Sequence, residues 1–413
     1  MQNTISPFIA IIGAGASGLM AAITASRAGA NVHLYEQNTK PAKKILASGN
    51  GRCNISNTQV SSQDYCGQRP EFCSFALDNF NFTQFEKFCK NIGLLLNILD
   101  DGRAYPLSNE AKSVALSFET YARVCGVEIF NEYPISKIEK INSKFYLHTP
   151  LNTSEPYDKI LICTGSEAAP QLGGSSLGYD LASSLGHTVI PTYPSLVQLH
   201  LKSSICEKVS GVKLDAEVFL FLNSKKEQSI KGDILFTKYG ISGFAILDIS
   251  QMASEALLNY QSVDIGLDLL PRFDRQTLSS QLLQTAQNLP FYPIETILCG
   301  LLPIKLCKVL LEDANISSQT LGKDVHTKMA KQIVSKIKDW RFEVNDTHGF
   351  KHAEVSGGGV NTDEVNEKTM ESKKCKGLYF AGEVLDIVGR RGGFNFQFAW
   401  ASGHLAGKEM SRS

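Results

Sequence analysis

Two glycine-rich stretches near opposite ends of the chain constrain the fold most. The first, "IIGAGASGLMAA" over 11–22, overlaps the short apolar run "FIAIIG" and leads into a helical pattern. Its glycines have the spacing Gly13-x-Gly15-x-x-Gly18, and the next apolar run, "NVHLYEQ", carries Glu36 at its tip. A glycine turn between a buried strand and a helix, followed by an acid after the next strand, is typical of a dinucleotide-binding βαβ unit. We therefore predict a Rossmann-type domain.

The residues of this turn have distinct physical roles. Gly13 permits the tight turn, Gly15 lets the backbone approach a pyrophosphate, and Gly18 lets the helix lie close to the strand. The helix start adds N–H groups and the positive end of the helix dipole. Glu36 is expected to accept hydrogen bonds from ribose hydroxyls. The predicted contacts are Gly13, Ala14, Gly15, Ala16, Ser17, Gly18, Glu36 and Gln37.

The second stretch, "YFAGEVLDIVGRRGGFNFQ" over 379–397, repeats the pattern of a strand, a glycine turn and a helix. An apolar strand ends at Gly382-Glu383, and a pair, Gly392-Gly393, precedes residues at helical spacing: Phe396, Trp400, Gly403 and Gly407. One helix start cannot serve both ends of a long dinucleotide. A second helix start can face the flavin edge where negative charge develops on reduction. The pair of turns therefore predicts FAD as the cofactor.

Two further segments carry chemistry near the predicted cofactor. The loop "KKILASGNGRCNISN" over 43–57 offers backbone amides and Arg52 to a phosphate or to an isoalloxazine edge. A solvated surface loop explains the same composition equally well. Further on, the apolar strand in "YDKILICTGSEAA" ends at Thr164-Gly165, where backbone can again approach a ligand.

The middle of the chain has a different texture. From about 191 the runs are β-rich, which indicates a small barrel, and 274–338 show helical periods behind an Asp274 cap. We predict a discontinuous FAD-binding domain, a β-barrel-like domain and a helical insert. Their predicted bounds are 1–190 plus 345–413, 191–272 plus 339–344, and 273–338.

Composition narrows the class of protein. Lys plus Arg and Asp plus Glu both number 41, so overall charge does not favour nucleic acid or membrane as a partner. The ten cysteines form no CxxC pair and no metal-ligand spacing, which favours reduced thiols and no metal. No apolar run reaches the about 18 residues of a membrane span. We expect a cytoplasmic protein without a membrane partner, and nothing in the sequence fixes an oligomeric state.

Lysines concentrate in the predicted helical insert. The solvated face of amphipathic helices is the favoured interpretation, and a basic surface for a phosphate backbone is the alternative. These lysines are Lys305, Lys308, Lys323, Lys328, Lys331, Lys336 and Lys338.

The quoted segments, together with "GDILFTKYGISGFAILDIS" and "AEVSGGGVNTDEVNEKTMESK", resemble the YhiN/BaiN-type family of bacterial FAD flavoproteins along essentially the whole chain. The resemblance implies an α/β fold, in which a glutathione-reductase-type FAD-binding Rossmann domain is interrupted by a small β-barrel-like domain and a helical insert. It also implies further FAD contacts beyond the first turn, at Lys44, Arg52, Cys53, Asn54, Ile135, Thr164, Gly165, Gly382, Glu383, Gly393, Phe394 and Asn395. Ile135 occupies the place of the adenine-contacting strand.

Four positions depart from the family pattern. Asn50 and Ser166 stand where the family usually has glycine, and both reduce backbone freedom near the cofactor. Arg390-Arg391 replace a less basic pair. This pair either meets an anionic substrate at the flavin or is a pair of solvated loop charges.

The resemblance implies an FAD-dependent oxidoreductase. In this chemistry a hydride passes from flavin N5 to an activated C=C bond and a protonation follows, with NAD(P)H as the expected electron source. Relatives imply a small-molecule substrate or a uracil of ribosomal RNA, and a non-catalytic flavin-binding or electron-carrying protein is the remaining alternative. Cys53 is the predicted catalytic proton donor, with Tyr239 and His404 as other candidates.

Overall fold

The computed structural model describes residues 6–412 and divides them into two compact units. The sheet unit consists of residues 6–193 and 354–412, and the barrel unit consists of residues 194–353. Because the sheet unit is built from both ends of the chain, the two glycine-rich stretches belong to the same unit.

The strands occur throughout the described chain. In order they are Phe8–Ile12 (β1), Asn31–Tyr35 (β2), Ser56–Asn57 (β3), Tyr65–Cys66 (β4), Leu96–Ile98 (β5), Arg103–Pro106 (β6), Glu128–Phe130 (β7), Lys137–Ile141 (β8), Lys144–His148 (β9), Lys159–Ile162 (β10), Val189–Ser195 (β11), Leu199–Leu201 (β12), Lys213–Leu222 (β13), Lys225–Phe236 (β14), Gly240–Ser242 (β15), Val263–Asp268 (β16), Trp340–Thr347 (β17), Val355–Val360 (β18), Leu378–Phe380 (β19) and Val388–Gly389 (β20).

The α-helices are Ala16–Arg27 (α1), Lys43–Ala47 (α2), Ser74–Asn79 (α3), Phe82–Asn91 (α4), Ala111–Val124 (α5), Leu177–Ser184 (α6), Ile205–Lys208 (α7), Phe244–Leu258 (α8), Arg275–Asn288 (α9), Ile294–Leu298 (α10), Ile304–Asp313 (α11), Thr327–Lys338 (α12) and Phe394–Met410 (α13). Short 3-10 helices cover Ser48–Gly51, Ser62–Asp64, Pro70–Cys73, Pro170–Leu172, Gly322–Asp324, Phe350–His352, Thr362–Glu364 and Gly382–Val384.

A five-stranded parallel sheet organises the sheet unit, with the order β19-β10-β1-β2-β7. The central strand β1 reads FIAII and is almost wholly buried, because a parallel sheet is covered on both faces. Its partners are in register at Ile11, opposite Leu161 on one side and Leu34 on the other. The carboxyl ends of β1, β10 and β19 therefore meet at one edge, which is where both glycine turns begin.

The smaller sheets of this part of the chain are antiparallel or short. They are the hairpin β8-β9, the three-stranded sheet β3-β6-β5, and the pairs β20-β4 and β11-β18. Pairing of β20 with β4 brings the carboxyl-terminal stretch beside an early segment, with Gly389 opposite Tyr65.

The barrel unit contains a closed barrel of strand order β12-β15-β14-β13-β16-β17, which confirms the predicted barrel-like fold. The helices α9 to α12 share one hydrophobic cluster with the barrel, including Leu278 and Leu310. The predicted helical insert therefore does not have a hydrophobic core of its own. The predicted bound between 344 and 345 also differs, because it falls inside β17.

The cap predicted for the first helix of this insert is present. The side chain of Asp274 accepts from the backbone N–H of Thr277 at 2.7 Å. Leu278, Leu282 and Ala286, which the pattern placed on one face, are all buried. Among the described residues, no helix is long and apolar enough to cross a membrane.

Candidate functional site

The amino-terminal turn has the predicted geometry. Gly13 follows β1 with φ +107°, and a Cβ there would lie 2.6 Å from the carbonyl oxygen of Cys163 at the end of β10. A Cβ on Gly18 would lie 1.9 Å from the carbonyl oxygen of Gly13. Both glycines therefore allow close backbone approach, and they hold the start of α1 against the tips of two strands.

Gly15 differs from its neighbours because its surroundings are open. Apart from Gly15 and its two chain neighbours, no described residue has an atom within 4 Å of the position that a Cβ on Gly15 would take. The helix α1 also begins without a side-chain cap, and no acid lies in its first turn. Its first N–H groups, from Ala16 and Ser17 onward, therefore lack an internal anionic partner, as expected for an anion-binding helix start.

Glu36 lies beside this turn at the end of β2. Its carboxylate accepts from the backbone N–H of Ala14 at 3.0 Å and from that of Asn38 at 2.9 Å, and the residue is only 7% exposed. These donors fix the carboxylate next to the glycine turn. Gln37 instead is exposed and donates to the carbonyl oxygen of Gly173 at 3.0 Å.

The loop over 43–57 contains left-handed backbone. Asn50 has φ 55° and ψ 43°, a conformation that asparagine tolerates better than most residues, which explains how it replaces a family glycine. Arg52 is exposed, with its guanidinium carbon 5.4 Å from the centre of the Tyr105 ring. Asn54 has a buried side-chain oxygen, Oδ1, without a hydrogen-bond partner in the described chain.

Cys53, the predicted proton donor, lies in the same loop. Its side chain is buried in the hydrophobic core, and burial raises its pKa to about 11. The thiol therefore stays protonated at neutral pH, and its complete burial favours a packing role over contact with a substrate.

The carboxyl-terminal turn is packed against that loop. Gly393 caps α13 with φ +97°, and Phe394 is buried, with its carbonyl oxygen accepting from the hydroxyl of Tyr65 at 2.8 Å. The side chain of Asn395 both donates to and accepts from the backbone of Gly389 at 2.8 Å. Because the side-chain amide of Asn395 is used to close this turn, its backbone is the part that remains available to a cofactor.

Polar contacts tie α13 to the same loop. Ser56 donates to the buried side-chain oxygen of Gln397 at 2.6 Å, and the Trp400 indole donates to the carbonyl oxygen of Ile55 at 2.9 Å. Asn57 donates to the carbonyl oxygen of Gly392 at 3.0 Å. The loop predicted to face the flavin and the carboxyl-terminal turn therefore form one structure.

The strand tips supply the other predicted residues. Thr164 has a buried hydroxyl oxygen without a partner in the described chain. Gly165 leaves open space, with the Lys44 ammonium 4.0 Å from the position of a Cβ. That ammonium pairs with the Glu383 carboxylate at 2.9 Å. A Cβ on Gly382 would lie 2.5 Å from the hydroxyl oxygen of Ser17, so this turn packs directly on α1.

The two helices run parallel and in close contact. A Cβ on Gly403 would lie 2.3 Å from the carbonyl oxygen of Ser17, and one on Gly407 would lie 2.4 Å from that of Ala21. With this register, the start of α13 extends about eight residues, or about 12 Å, beyond the start of α1. Two positive helix ends therefore point the same way at different depths, as two turns for one long cofactor require.

Ile135 differs from its predicted place. It is buried, at 1% exposed, but it precedes β8 and is not part of a strand. Nearby, the backbone N–H of Tyr133 donates to the carbonyl oxygen of Glu36 at 2.9 Å, which keeps this segment beside the predicted ribose contact.

These residues fit FAD. The open backbone at Gly15 is suited to a diphosphate, and Glu36 is suited to ribose hydroxyls. The partnerless oxygens of Asn54 and Thr164 lie on the loop and strand tip that the sequence assigns to the cofactor. Since buried polar groups are normally paired, these atoms indicate a polar ligand.

His404, the second proton-donor candidate, is part of the helix contact. Its ring stacks on Phe80 with centroids 4.2 Å apart, and Nδ1 lies 3.2 Å from the hydroxyl oxygen of Thr24. Burial, aided by the positive charges of Lys408 and Arg27, lowers its pKa to about 4. A neutral, stacked imidazole indicates a packing role.

Tyr239 belongs to a cluster in the barrel unit that the sequence reasoning missed. Its ring stacks on His348 at 4.0 Å, and His348 Nδ1 lies 2.8 Å from His200 Nε2. The His352 ring lies 4.0 Å from the His348 ring. Burial and the neighbouring histidines lower the pKa of His348. His200 lies 148 residues before His348, so the pairing of β12 with β17 is what brings it to the other two histidines.

The lysines of the predicted insert differ in their surroundings, because some pair with carboxylates and others line an open depression. Lys336 pairs with Asp313 at 2.6 Å and Lys338 with Asp268 at 2.5 Å. Lys328 and Lys331 line an open depression of about 530 Å³ on α12. Across the described residues, no group of three or more His, Cys, Asp or Glu side chains is arranged to hold a metal ion.

Comparison with known proteins identifies the family. The HI0933-like protein Rossmann domain matches residues 7–409. The chain belongs to this family. The YhiN/BaiN-type resemblance and the predicted fold class are thereby confirmed.

Two curated relatives align along nearly their full length. A 3-dehydro-bile acid delta(4,6)-reductase of Clostridium scindens is 34% identical, with 97% of this chain and 98% of the relative covered. A ribosomal RNA dihydrouridine synthase of Haemophilus influenzae is 32% identical, with 97% and 98% covered. The predicted enzyme class, an FAD-dependent oxidoreductase, is confirmed.

Among solved structures, the chain is similar to a 3-ketosteroid-delta4-(5alpha)-dehydrogenase from Rhodococcus jostii. The TM-score is 0.49 at 12% identity, with 100% of this chain and 99% of that chain covered.

Proposed function

We propose that this protein reduces an activated C=C bond of a small conjugated carbonyl compound, with NAD(P)H as the electron source. The observation that carries the proposal is a family flavin site with two parallel helix starts, in a chain 34% identical to a bile-acid reductase over 97% of its length. When bound, FAD supplies the hydride that reaches the alkene carbon.

The chain's own residues bind and orient the cofactor. Gly15 and the start of α1 are proposed to hold the diphosphate, and Glu36 the adenosine ribose. The loop around Asn54 and the start of α13 at Gly393 are proposed to receive the flavin ring, and the Glu383 region the segment between.

The electron donor is proposed to be a transient cosubstrate. The sequence contains a single GxGxxG turn, which is assigned to FAD. NAD(P)H would therefore reach the flavin directly, without a Rossmann domain of its own. NADH and NADPH are both candidates for this role.

A second candidate function is the reduction of uracil in ribosomal RNA. The observation that favours it is the depression on α12, where Lys328 and Lys331 are exposed beside Gln332. Two phosphate-binding lysines would make RNA binding depend on salt concentration. Against it, Lys336 and Lys338 are neutralised by Asp313 and Asp268.

The test is an anaerobic reduction and reoxidation experiment on the holoenzyme. The flavin is bleached with NADH or NADPH, and the reduced protein is then offered conjugated enones or protein-free ribosomal RNA. Reoxidation by enones, with a product heavier by two hydrogens, supports the first proposal. Reoxidation by RNA with formation of dihydrouridine supports the second instead. Reoxidation by neither class contradicts both and favours an electron carrier.

A lysine variant separates the two functions further. The double substitution Lys328→Glu with Lys331→Glu should leave enone reduction unchanged, because these exposed side chains serve only the RNA proposal. A matched control is Lys226→Glu with Lys231→Glu, which alters exposed lysines of β14. If RNA is the substrate, only the α12 pair should weaken RNA binding and its salt dependence.

A further inference from the structure

The Glu383 carboxylate has an unusually complete set of donors. Oε2 accepts from the Lys44 ammonium at 2.9 Å, while Oε1 accepts from the Ser166 hydroxyl at 2.5 Å and from the backbone N–H of Ser356 at 3.1 Å. A carboxylate has about four acceptor positions. Three are filled by the protein, so about one is left for a ligand.

Ser166 is the donor that the family pattern does not supply. It follows Thr164-Gly165 at the tip of β10 and is fully buried. Its hydroxyl donates to Glu383 and accepts from the backbone N–H of Ala168 at 3.3 Å. Because the hydroxyl is engaged both as donor and as acceptor, its orientation is fixed and so is that of the carboxylate.

The surroundings point to a polar ligand. Among the buried hydroxyls of this unit that have no hydrogen-bond partner in the described residues are those of Thr164, Tyr179 and Ser356. Burial, with the negative charge of Glu383 contributing, raises the pKa of Tyr179 well above its usual value. A Cβ on Gly178 would lie 2.0 Å from the Thr164 hydroxyl oxygen, so α6 carries Tyr179 directly against the strand tip.

We propose that Ser166 is a positioning residue for FAD binding, which together with Lys44 holds the Glu383 carboxylate in one orientation with one acceptor position directed to a hydroxyl-bearing part of the cofactor. The proposal rests on the FAD site described above and is independent of the substrate. The proposal also assigns a role to the side chain of Ser166, which stands where the family usually has glycine.

The expected effect follows from the loss of one hydrogen bond to a charged group. In the Ser166→Ala holoenzyme, the carboxylate keeps Lys44 and the Ser356 N–H but gains rotational freedom. We expect FAD to dissociate about tenfold more readily. Lys44→Met removes the charged partner and should weaken FAD binding at least as much.

The experiment measures the dissociation constant of FAD through the recovery of flavin fluorescence on release, beside thermal unfolding of the apoprotein. A double-mutant cycle adds Glu383→Gln and the combination of Glu383→Gln with Ser166→Ala. If Ser166 acts through the carboxylate, Ser166→Ala should lower FAD affinity only slightly when Glu383 is already replaced by Gln. If Ser166 has a purely structural role, Ser166→Ala should lower FAD affinity equally with Glu383 and with Gln at position 383.

A matched control removes a similar bond that does not involve Glu383. Thr192→Val deletes the hydroxyl that donates to Glu167 at 2.6 Å and should leave FAD affinity unchanged. The proposal is overturned if Ser166→Ala and Lys44→Met bind FAD as tightly as the wild type, or if the cycle shows no coupling. Tight FAD binding without enone reduction would overturn only the proposed substrate, and a wild type that binds no FAD would overturn both.

Discussion

The starts of α1 and α13 look alike in sequence and differ in structure. α1 follows the glycine turn at the end of the parallel strand β1, α13 follows Gly392-Gly393 after β20, and neither helix has a side-chain cap. The α1 start is open, because no described residue other than the chain neighbours of Gly15 comes within 4 Å of a Cβ placed there. The α13 start is closed, because a Cβ on Gly393 would lie 2.4 Å from the carbonyl oxygen of Ser56. Gly15 therefore leaves space for a ligand beside the backbone, whereas Gly393 packs on the loop with which it is proposed to receive the flavin ring.

The difference follows from how the helices are held. α1 lies against strand tips of the sheet, which leaves its first turn exposed to a ligand. α13 begins about 12 Å further along and must be supported by the loop at Asn54 and Ser56. Four substitutions test this contrast, from the largest expected effect on stability to the smallest.

Gly403→Val should have the largest effect, because it separates the two helices. The new Cβ would lie 2.3 Å from the carbonyl oxygen of Ser17. Relieving this contact requires a shift of helix backbone, which costs much more free energy than a shift of a flexible side chain. We expect a loss of at least about 4 kcal/mol in the free energy of unfolding, measured with urea. Lys408→Val on the exposed face of α13 controls for the lower helix propensity of valine. Equal losses in the two variants would refute the close helix contact.

Gly393→Ala should cost about 3 kcal/mol, from the left-handed backbone together with the contact with Ser56. Gly29→Ala is the matched control, because Gly29 has φ +95° and no described residue other than its chain neighbours comes within 4 Å of its Cβ position. The control should lose only about 1 kcal/mol. If both lose the same amount, the α13 start is not closed as described.

His404 should make the helix contact sensitive to acid. Its pKa is about 4 in the folded protein and about 6.5 when unfolded, so the unfolded chain binds the extra proton between these values. Stability attributable to His404 is present above pH 6.5 and falls as pH drops, by about 2 kcal/mol from pH 7 to pH 5. In His404→Phe, which keeps the stack on Phe80, the urea midpoint should fall less over this range. Parallel pH profiles would show that His404 does not titrate in this way.

Gly15→Ala should barely change stability, by less than about 0.5 kcal/mol, because Gly15 has φ −80° and open surroundings. The methyl group would instead occupy the space proposed for the diphosphate. We expect FAD affinity to fall at least about tenfold, read from flavin fluorescence. An unchanged FAD affinity would show that the diphosphate does not bind at this turn.

Local pattern predicted much of this molecule. The strand, turn and helix at Gly13, the Asp274 cap and the barrel strands depend on residues close in sequence, where periodicity and capping apply. The shared core of barrel and insert was missed, because helix periodicity does not tell which surface a helix packs on.

Local sequence pattern also could not predict which polar side chains pair with each other. Lys44 and Glu383 were both predicted as cofactor contacts, yet nothing in sequence indicates that they pair with each other. The same holds for the side chain of Asn395, which closes its own turn at Gly389. Such pairings are set by strand order and helix register, which single-sequence patterns do not carry.

The edge position of β19 has a consequence for synthesis on the ribosome. β19 pairs with β10 at Leu378 opposite Ile160, and it leads into α13, which covers α1. During translation, β1, β2 and β10 emerge long before these partners exist. We expect the nascent chain to hold an unpaired apolar strand edge until residues 378–410 have left the ribosome, so chaperone demand should persist until then and the cofactor should enter only afterwards.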